Sequence, residues 1–194
     1  LEAALKQGGD FAEIYVEETV RNQLHLVGKK IDRAVSGRDW GAGLRIFYQN
    51  QAFYAYTNDL SREGLLEAAK SISGVVQQSS TPLNCGLSRV VHADRHVART
   101  DPEKILPDDK IQIMLKADQL ARAVDNLISQ VEVTYLDETQ RILVANSEGI
   151  LTGDKRTRTR LHIVVIATSN GEKQVGSVGP GALKGYEFIR EIDL

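Results

Sequence analysis

The sequence predicts an α+β fold of antiparallel sheets with packed helices, arranged as a pseudo-repeat of two related halves. Three observations point to it. Segments that alternate with period two dominate the chain. Short turns containing Asn or Gly join several of them, which suits hairpins and argues against parallel βαβ units. Two internal segments, beginning near Ser61 and Asp108, carry instead the spacing of an amphipathic helix.

Taken in order, residues 1–7 read as the end of a helix that Gly8-Gly9-Asp10 stops. Residues 11–20 form a strand, with Phe11, Glu13, Tyr15 and Glu17 opposed to Ala12, Ile14 and Val16. Residues 21–27 can pair with it, and Gly28-Lys29-Lys30 fits a turn before a third strand over 31–35. Ser36-Gly37-Arg38-Asp39 reads as a break. Residues 41–48 resume as a strand with Leu44 and Ile46 on one side, and Gln49-Asn50-Gln51 turns it into a partner beginning at Ala52. Gly41 and Gly43 lie on one strand face, where missing side chains permit the close approach of another element. Asn58-Asp59 makes the turn into the first helix.

Ser61 caps that helix and Glu63 lies in its first turn. Leu65, Ala68, Ala69, Ile72, Val75 and Val76 form its apolar stripe, and Ser79-Ser80-Thr81-Pro82 ends it. Residues 82–107 are irregular. The second helix starts at Asp108 and presents Ile111, Met114, Leu115, Leu120, Ala121, Val124 and Leu127. Strands return over 130–136 and 141–145, with a turn at Asn146-Ser147-Glu148-Gly149. A long strand over 156–165 runs on to Ala167, and Ser169-Asn170-Gly171 leads into a return strand over 173–178. The expected organisation is a first half over 1–80, an irregular connector over 81–107, a second half over 108–188, and the start of a link to a further C-terminal domain over 189–194.

Bulk properties narrow the function classes. The chain has 194 residues, enough for one sizeable core or two small ones, and 42% hydrophobic with 26% charged residues is ordinary for a globular protein. A formal net charge of −2 supplies no global attraction to nucleic acid or to an anionic membrane. No uninterrupted apolar run reaches the roughly 18 residues of a membrane span, and no leader pattern is visible. A single cysteine, Cys85, excludes an internal disulfide and a multi-cysteine metal cage, and suits a reducing compartment.

No constellation of reactive residues stands out. The HExxH zinc motif is absent. His92 and His96 are four apart, but on a loop-like segment, with only Asp94 and Asp101 near them in sequence. Cys85 has no base that the sequence places beside it, and His25 and His162 fall within strands. Gly176, Gly179, Gly181 and Gly185 fit neither a dinucleotide nor a phosphate loop and read as a turned exit from the last strand. Arg156, Arg158 and Arg160 share one strand face that can meet phosphate or carboxylate, or can simply guard an edge. No catalytic, cofactor-binding or metal-ligating residue is assigned.

Four ordered stretches nevertheless make the chain resemble the N-terminal region of the TldD/PmbA family. They are Gly8-Gly9-Asp10-Phe11-Ala12-Glu13-Ile14-Tyr15-Val16-Glu17; Gly41-Ala42-Gly43-Leu44-Arg45-Ile46 with Phe53-Tyr54-Ala55-Tyr56-Thr57-Asn58-Asp59-Leu60; residues 110–123 with Val144-Ala145-Asn146-Ser147-Glu148-Gly149; and Gly185-Tyr186-Glu187-Phe188. The resemblance implies a cytoplasmic, dimeric metallopeptidase system linked to maturation of peptide antibiotics and degradation of an unfolded antitoxin. TldD-type chains carry zinc on a downstream His-Glu-x-x-x-His motif. PmbA-type chains, also called modulators of DNA gyrase, are partners without it. Thr57-Asn58-Asp59-Leu60 leans toward the TldD side. No residue here matches the zinc ligands, so the expected cofactor count for this chain is none, with zinc held elsewhere in a TldD-like protein. This region by itself would be inactive, within a full-length protein that is a zinc metallopeptidase. The expected role is substrate guiding and assembly, in a homodimer or a TldD–PmbA heterodimer, with an unfolded or extended peptide adding as a strand. A PmbA-like partner subunit and a free-standing peptide- or nucleic-acid-binding module are the alternatives. Neither membrane nor nucleic acid is the expected partner.

Overall fold

The computed structural model describes residues 1–76 and 85–192. Turn chemistry sets much of the path. Gly28 and Lys29, Gln49 and Asn50, and Asn170 and Gly171 all have positive φ, from 48° to 84°. Two successive residues of that kind make the hairpin turn whose twist matches the strands it joins. The register agrees, with Tyr48 opposite Gln51 and Ser169 opposite Glu172.

The elements in chain order are β1 (Phe11–Val27), β2 (Lys30–Tyr48), β3 (Gln51–Thr57), α1 (Arg62–Ser73), β4 (Ser88–Arg89), α2 (Pro107–Val124), β5 (Ile128–Asn146), β6 (Ile150–Ser169), β7 (Glu172–Val178), β8 (Gly181–Ala182) and α3 (Glu187–Glu191). The strands form an eight-stranded sheet in the order β3-β2-β1-β5-β6-β4, with β7 and β8 also on β6. β2–β3, β6–β7 and β6–β8 are antiparallel, and the short β4 runs parallel to β6. This is an α+β architecture with an antiparallel sheet and packed helices.

The chain divides into two compact units that draw on non-contiguous segments, so β1, β2, β5 and β6 each contribute to both. The first unit comprises residues 1–19, 39–94 and 140–155. Its core packs Ala12, Leu44 and Ile46 from the strands against Ala68, Ala69 and Ile72 of α1. Ser61 caps α1 by accepting from the Gly64 amide at 3.1 Å. The second unit comprises residues 20–38, 95–139 and 156–194. There Leu26, Val131, Val133, Tyr135 and Leu161 pack against Met114 of α2 and Ile189 of α3.

Several local expectations are corrected. Residues 21–27 do not pair with 11–20 but continue them in the single strand β1. Residues 1–7 are a series of turns, with the amides of Ala4 and Leu5 bonding back to the Leu1 carbonyl, and not the end of an α-helix. Residues 36–39 do not break β2, which runs unbroken from Lys30 to Tyr48. Gly37 lies in open space there, and Ser36 donates to Asn22 at 2.7 Å. Residues 130–136 and 141–145 belong to one strand, β5, because the intervening polar residues are bonded. Asp137 is buried against Lys110, and Glu138 accepts from Arg21 and Arg158. The buried positions of α2 are Lys110, Met114, Ala117 and Asp118, whereas Leu120 and Val124 of the expected stripe are exposed. Asp118 belongs on that face because it pairs with Arg122 at 3.0 Å. Among its described residues the expected irregular connector holds β4 and a 3-10 turn over Pro102–Lys104. The first helix, expected to run on to Ser79-Ser80-Thr81-Pro82, ends at Ser73 with Gly74 as its C-cap, so Val75 of the expected stripe lies beyond it and is exposed; residues 79–82 themselves lie outside the described residues.

Candidate functional site

The residues singled out from sequence do not assemble. His92, Asp94 and His96 lie exposed on the connector. Among the described residues no group of three or more His, Cys, Asp or Glu is placed to hold a metal ion. Cys85 packs against the core of the first unit. His25 stands between two carboxylates, Asp32 at 3.6 Å and Glu132 at 3.5 Å. Arg156, Arg158 and Arg160 do share the exposed face of β6, while Thr157 and Thr159 are buried opposite. Arg158 is bound to Glu138 at 2.9 Å, and the Arg160 guanidinium lies against Gly179. The row is thus partly neutralised and partly packed.

A site does form where the glycine pair of β2 lies. Ala42, Leu44 and Ile46 point into the core of the first unit, so Gly41, Gly43, Arg45 and Phe47 take the opposite face. Gly43 stands opposite Tyr56, and Arg45 opposite Tyr54. Residues paired this way share a face. Tyr54 is 66% and Tyr56 91% exposed. A cleft of about 320 Å³ opens there. Tyr15, Trp40 and Tyr56 supply its rings, Gly41 and Gly43 its floor, and Glu17 and Asp39 its carboxylates.

The local geometry holds these groups in place. Trp40 donates its indole N–H to the Asn58 carbonyl at 2.9 Å, which fixes the ring beside the β3 exit. Tyr15 donates its hydroxyl to Glu17 at 2.5 Å, and Thr19 donates to the same carboxylate at 2.7 Å. At the β3 exit the Asp59 amide bonds to the Thr57 hydroxyl and the Ser61 amide to the Asp59 carboxylate, and the bonds from Ser61 lower the Asp59 pKa. Next to the cleft, Arg45 pairs with Glu13 and lies 4.8 Å from the Phe47 ring centre and 5.8 Å from that of Tyr54.

The two glycines differ. A methyl group at Gly41 would come 3.1 Å from the Thr57 carbonyl oxygen, a tight contact that the end of β3 would have to give way to. A methyl group at Gly43 would meet nothing within 4 Å and would project into the cleft. The sequence singles out the Gly41–Gly43 spacing and the β3 tyrosines, but it puts Asp39 in an expected break over 36–39 and assigns Trp40 no role. Their proximity to the glycines was the signal that could have found them.

Two further clusters are built on buried charge. Lys110 Nζ lies 2.5 Å from Asp137 Oδ2, and Asn22 donates to Asp137 Oδ1 at 2.8 Å. The ammonium also lies 5.3 Å from the Tyr135 ring centre. Burial, followed by the charge of Asp137, pushes the Tyr135 hydroxyl well above its ordinary range. At the chain's last helix, Glu187 accepts from the amides of Arg99 at 2.9 Å, Thr100 at 2.8 Å and Gly185 at 3.1 Å. Burial acts to raise that carboxyl's pKa, but the backbone amides outweigh it and the net shift is downward. The Gly185-Tyr186-Glu187-Phe188 stretch is therefore a clasp on residues 99–100. Tyr186 completes it, bonding through its amide to the Thr100 carbonyl and through its hydroxyl to that of Asp109.

Comparison with known proteins agrees with the fold. Residues 12–77 match the model of PmbA/TldA metallopeptidase domain 1, and residues 100–194 match that of the PmbA/TldA metallopeptidase central domain. The chain is 24% identical over 185 residues to a Metalloprotease TldD homolog of Haemophilus influenzae, covering 94% of this chain and 38% of that protein. It is 24% identical over 174 residues to Metalloprotease PmbA of Escherichia coli, covering 85% of this chain and 38% of that one. The chain thus spans well under half the length of these curated relatives. Among solved structures it resembles a putative modulator of DNA gyrase from Bacteroides thetaiotaomicron, with TM-score 0.72 and 17% identity over 94% of this chain and 43% of that one. TldE from Thermococcus kodakarensis superposes with TM-score 0.65 at 15% identity, over 89% of this chain and 39% of that one.

Proposed function

This chain belongs to the PmbA/TldD metallopeptidase family, and from that premise we propose that it forms the substrate-guiding and assembly region of a peptidase acting on unfolded or extended peptides. One observation carries the reading: β3 ends the sheet, hydrogen-bonded within it to β2, beside a cleft floored by glycine. The outer backbone groups of an edge strand are a template for an added strand. Pairing of that kind reads the peptide backbone and demands little of its side chains, which suits substrates lacking a fixed structure.

The residues described here do not fit a zinc site, since no group of three or more candidate ligands lies together among them. The metal and the water it activates would belong to a downstream region of a longer protein, and no step of hydrolysis is assigned to this chain. By the same reading the protein works in the cytoplasm as a dimer, with itself or with a related subunit. Among the described residues no helix is long and apolar enough to cross a membrane.

The test uses the full-length protein and two extended peptides of one sequence, one of them N-methylated at alternate backbone amides. Strand addition predicts that methylation abolishes binding. Undiminished binding of the methylated peptide overturns the reading.

A further inference from the structure

The face of β1, β2 and β3 carries the same arrangement twice, in adjacent rows. In the first row Arg45 of β2 stands opposite Tyr54 of β3 and is paired with Glu13 of β1. Its guanidinium lies over the Phe47 and Tyr54 rings within the roughly 6 Å at which a cation is attracted to an aromatic face. Two residues along each strand, the second row has Tyr56 in the place of Tyr54, and Tyr15 and Glu17 beyond Glu13. The β2 position of that row is Gly43, which brings no side chain and no charge.

We propose that the cleft over Gly43 receives the cationic side chain, lysine or arginine, of an extended peptide, which takes there the place that Arg45 takes in the neighbouring row. Tyr15, Trp40 and Tyr56 line the cleft with aromatic rings. Asp39 supplies a carboxylate that makes no ion pair among the described residues, and Glu17 lines the same cleft. Arg45 does not set up a repulsive field there, because Glu13 neutralises it. Glycine at position 43 answers no demand of the fold: its φ is ordinary for a strand, and an added methyl meets no atom within 4 Å. The space above it is therefore open to something from outside the chain. A strand laid along β3 would pass beside this cleft, so alternate side chains of the peptide can point into it.

The inference rests on the peptide-binding reading, and the experiment separates the two. Full-length protein is titrated with two extended peptides that differ at one central residue, lysine in one and its uncharged isostere norleucine in the other. The expected result is a preference of about tenfold for the lysine peptide, the size of a cation held on aromatic faces. Gly43→Val fills the cleft from a position where its side chain meets open space. It should abolish the preference, read as the ratio of the two peptides' affinities for the same variant. Tyr56→Ala, at a surface position, is the second variant and should cut the preference several-fold. Equal binding of both peptides by the unaltered protein overturns this inference and leaves the peptide-binding reading standing. Failure of both peptides to bind overturns both. A lysine preference that survives in Gly43→Val and Tyr56→Ala also overturns it, since the cation is then read elsewhere.

Discussion

Removing Lys110 or Asp137 singly should cost far more than removing both. The two groups are 5% and 1% exposed and lie 2.5 Å apart, with Asn22 completing the carboxylate's partners at 2.8 Å. Taking one away leaves the other charge buried with its main partner gone. That situation costs about 3–5 kcal/mol, whereas replacing both by apolar residues of similar volume is often close to neutral. Lys110→Met leaves Asp137 with the Asn22 amide but no cation, and Asp137→Leu leaves an ammonium beside the Tyr135 ring without its carboxylate. In the double variant Asn22 loses its acceptor. Asn22 is half-buried and also accepts from Ser36, so this costs about 1 kcal/mol. Each single variant is therefore expected to lose about 3–5 kcal/mol and the pair about 1 kcal/mol, a coupling of several kcal/mol. Native-state hydrogen exchange of the β5 and α2 amides in the full-length protein reads this free energy locally. Single variants that each lose less than about 1 kcal/mol, or a double variant as damaged as the sum of the singles, would refute the reasoning.

Other substitutions probe the clasp, the core and the turns. The Glu187 carboxyl sits below its ordinary value, so its contribution is complete above the unfolded value of about 4.3 and is lost as pH falls through the folded one. Glu187→Gln should flatten the acid limb of a stability-versus-pH curve and cost about 1–3 kcal/mol at neutral pH, because one oxygen that accepts from the Thr100 amide becomes a donor. Gly185→Ala would put a methyl carbon 2.1 Å from the Thr100 carbonyl oxygen, and it should lower the melting temperature by opening the clasp at a cost of about 1–3 kcal/mol or more. Ile46→Ala, at a fully buried position in the first unit, should cost about 2–5 kcal/mol in chemical denaturation. Gly171→Ala, at φ +84°, should cost about 1–2 kcal/mol and leave the β6–β7 register unchanged in exchange patterns.

The sequence made the local devices legible and hid the buried polar ones. Period two marks β1 over residues 11–20 and β2 over residues 41–48, the Asn-bearing turns mark the β2–β3 and β6–β7 hairpins, and Ser61 marks the start of α1. Each depends on residues adjacent in the chain. The continuity of β5 depends on Lys110 and Arg21, which are distant in sequence, so Asp137 and Glu138 look like a turn when read alone. The same blindness misassigns the face of α2. Leu120 and Val124 look like core residues and lie exposed, while Lys110 and Asp118 look solvated and are buried against opposite charge. A helix face that buries charge is invisible to hydrophobic periodicity. Of the candidate site, the glycine spacing and the tyrosines could be read, but the pairing of Gly43 with Tyr56 and the approach of Tyr15 needed the register.

The motifs that carry the family resemblance are for the most part devices that fix backbone. Asn146 holds the β5–β6 turn by accepting from the amides of Glu148 and Ile150, and Ser147 ties that turn to Ala12 through both its amide and its hydroxyl. Gly149 at φ +92° lets the Gly86 carbonyl approach to within 2.8 Å of where a side chain would begin. Gly185 does the same for Thr100, and Gly41 makes room for the end of β3. Residues of this kind fix the path of the backbone and carry no information about chemistry. Gly43 departs from them. Its backbone is ordinary, its surroundings are open, and a larger residue would meet no obstacle in the protein itself. Packing, turn geometry and close approach all fail to account for a missing side chain there. What remains is the volume it leaves between Tyr15 and Tyr56, the space in which the proposed cationic side chain would lie.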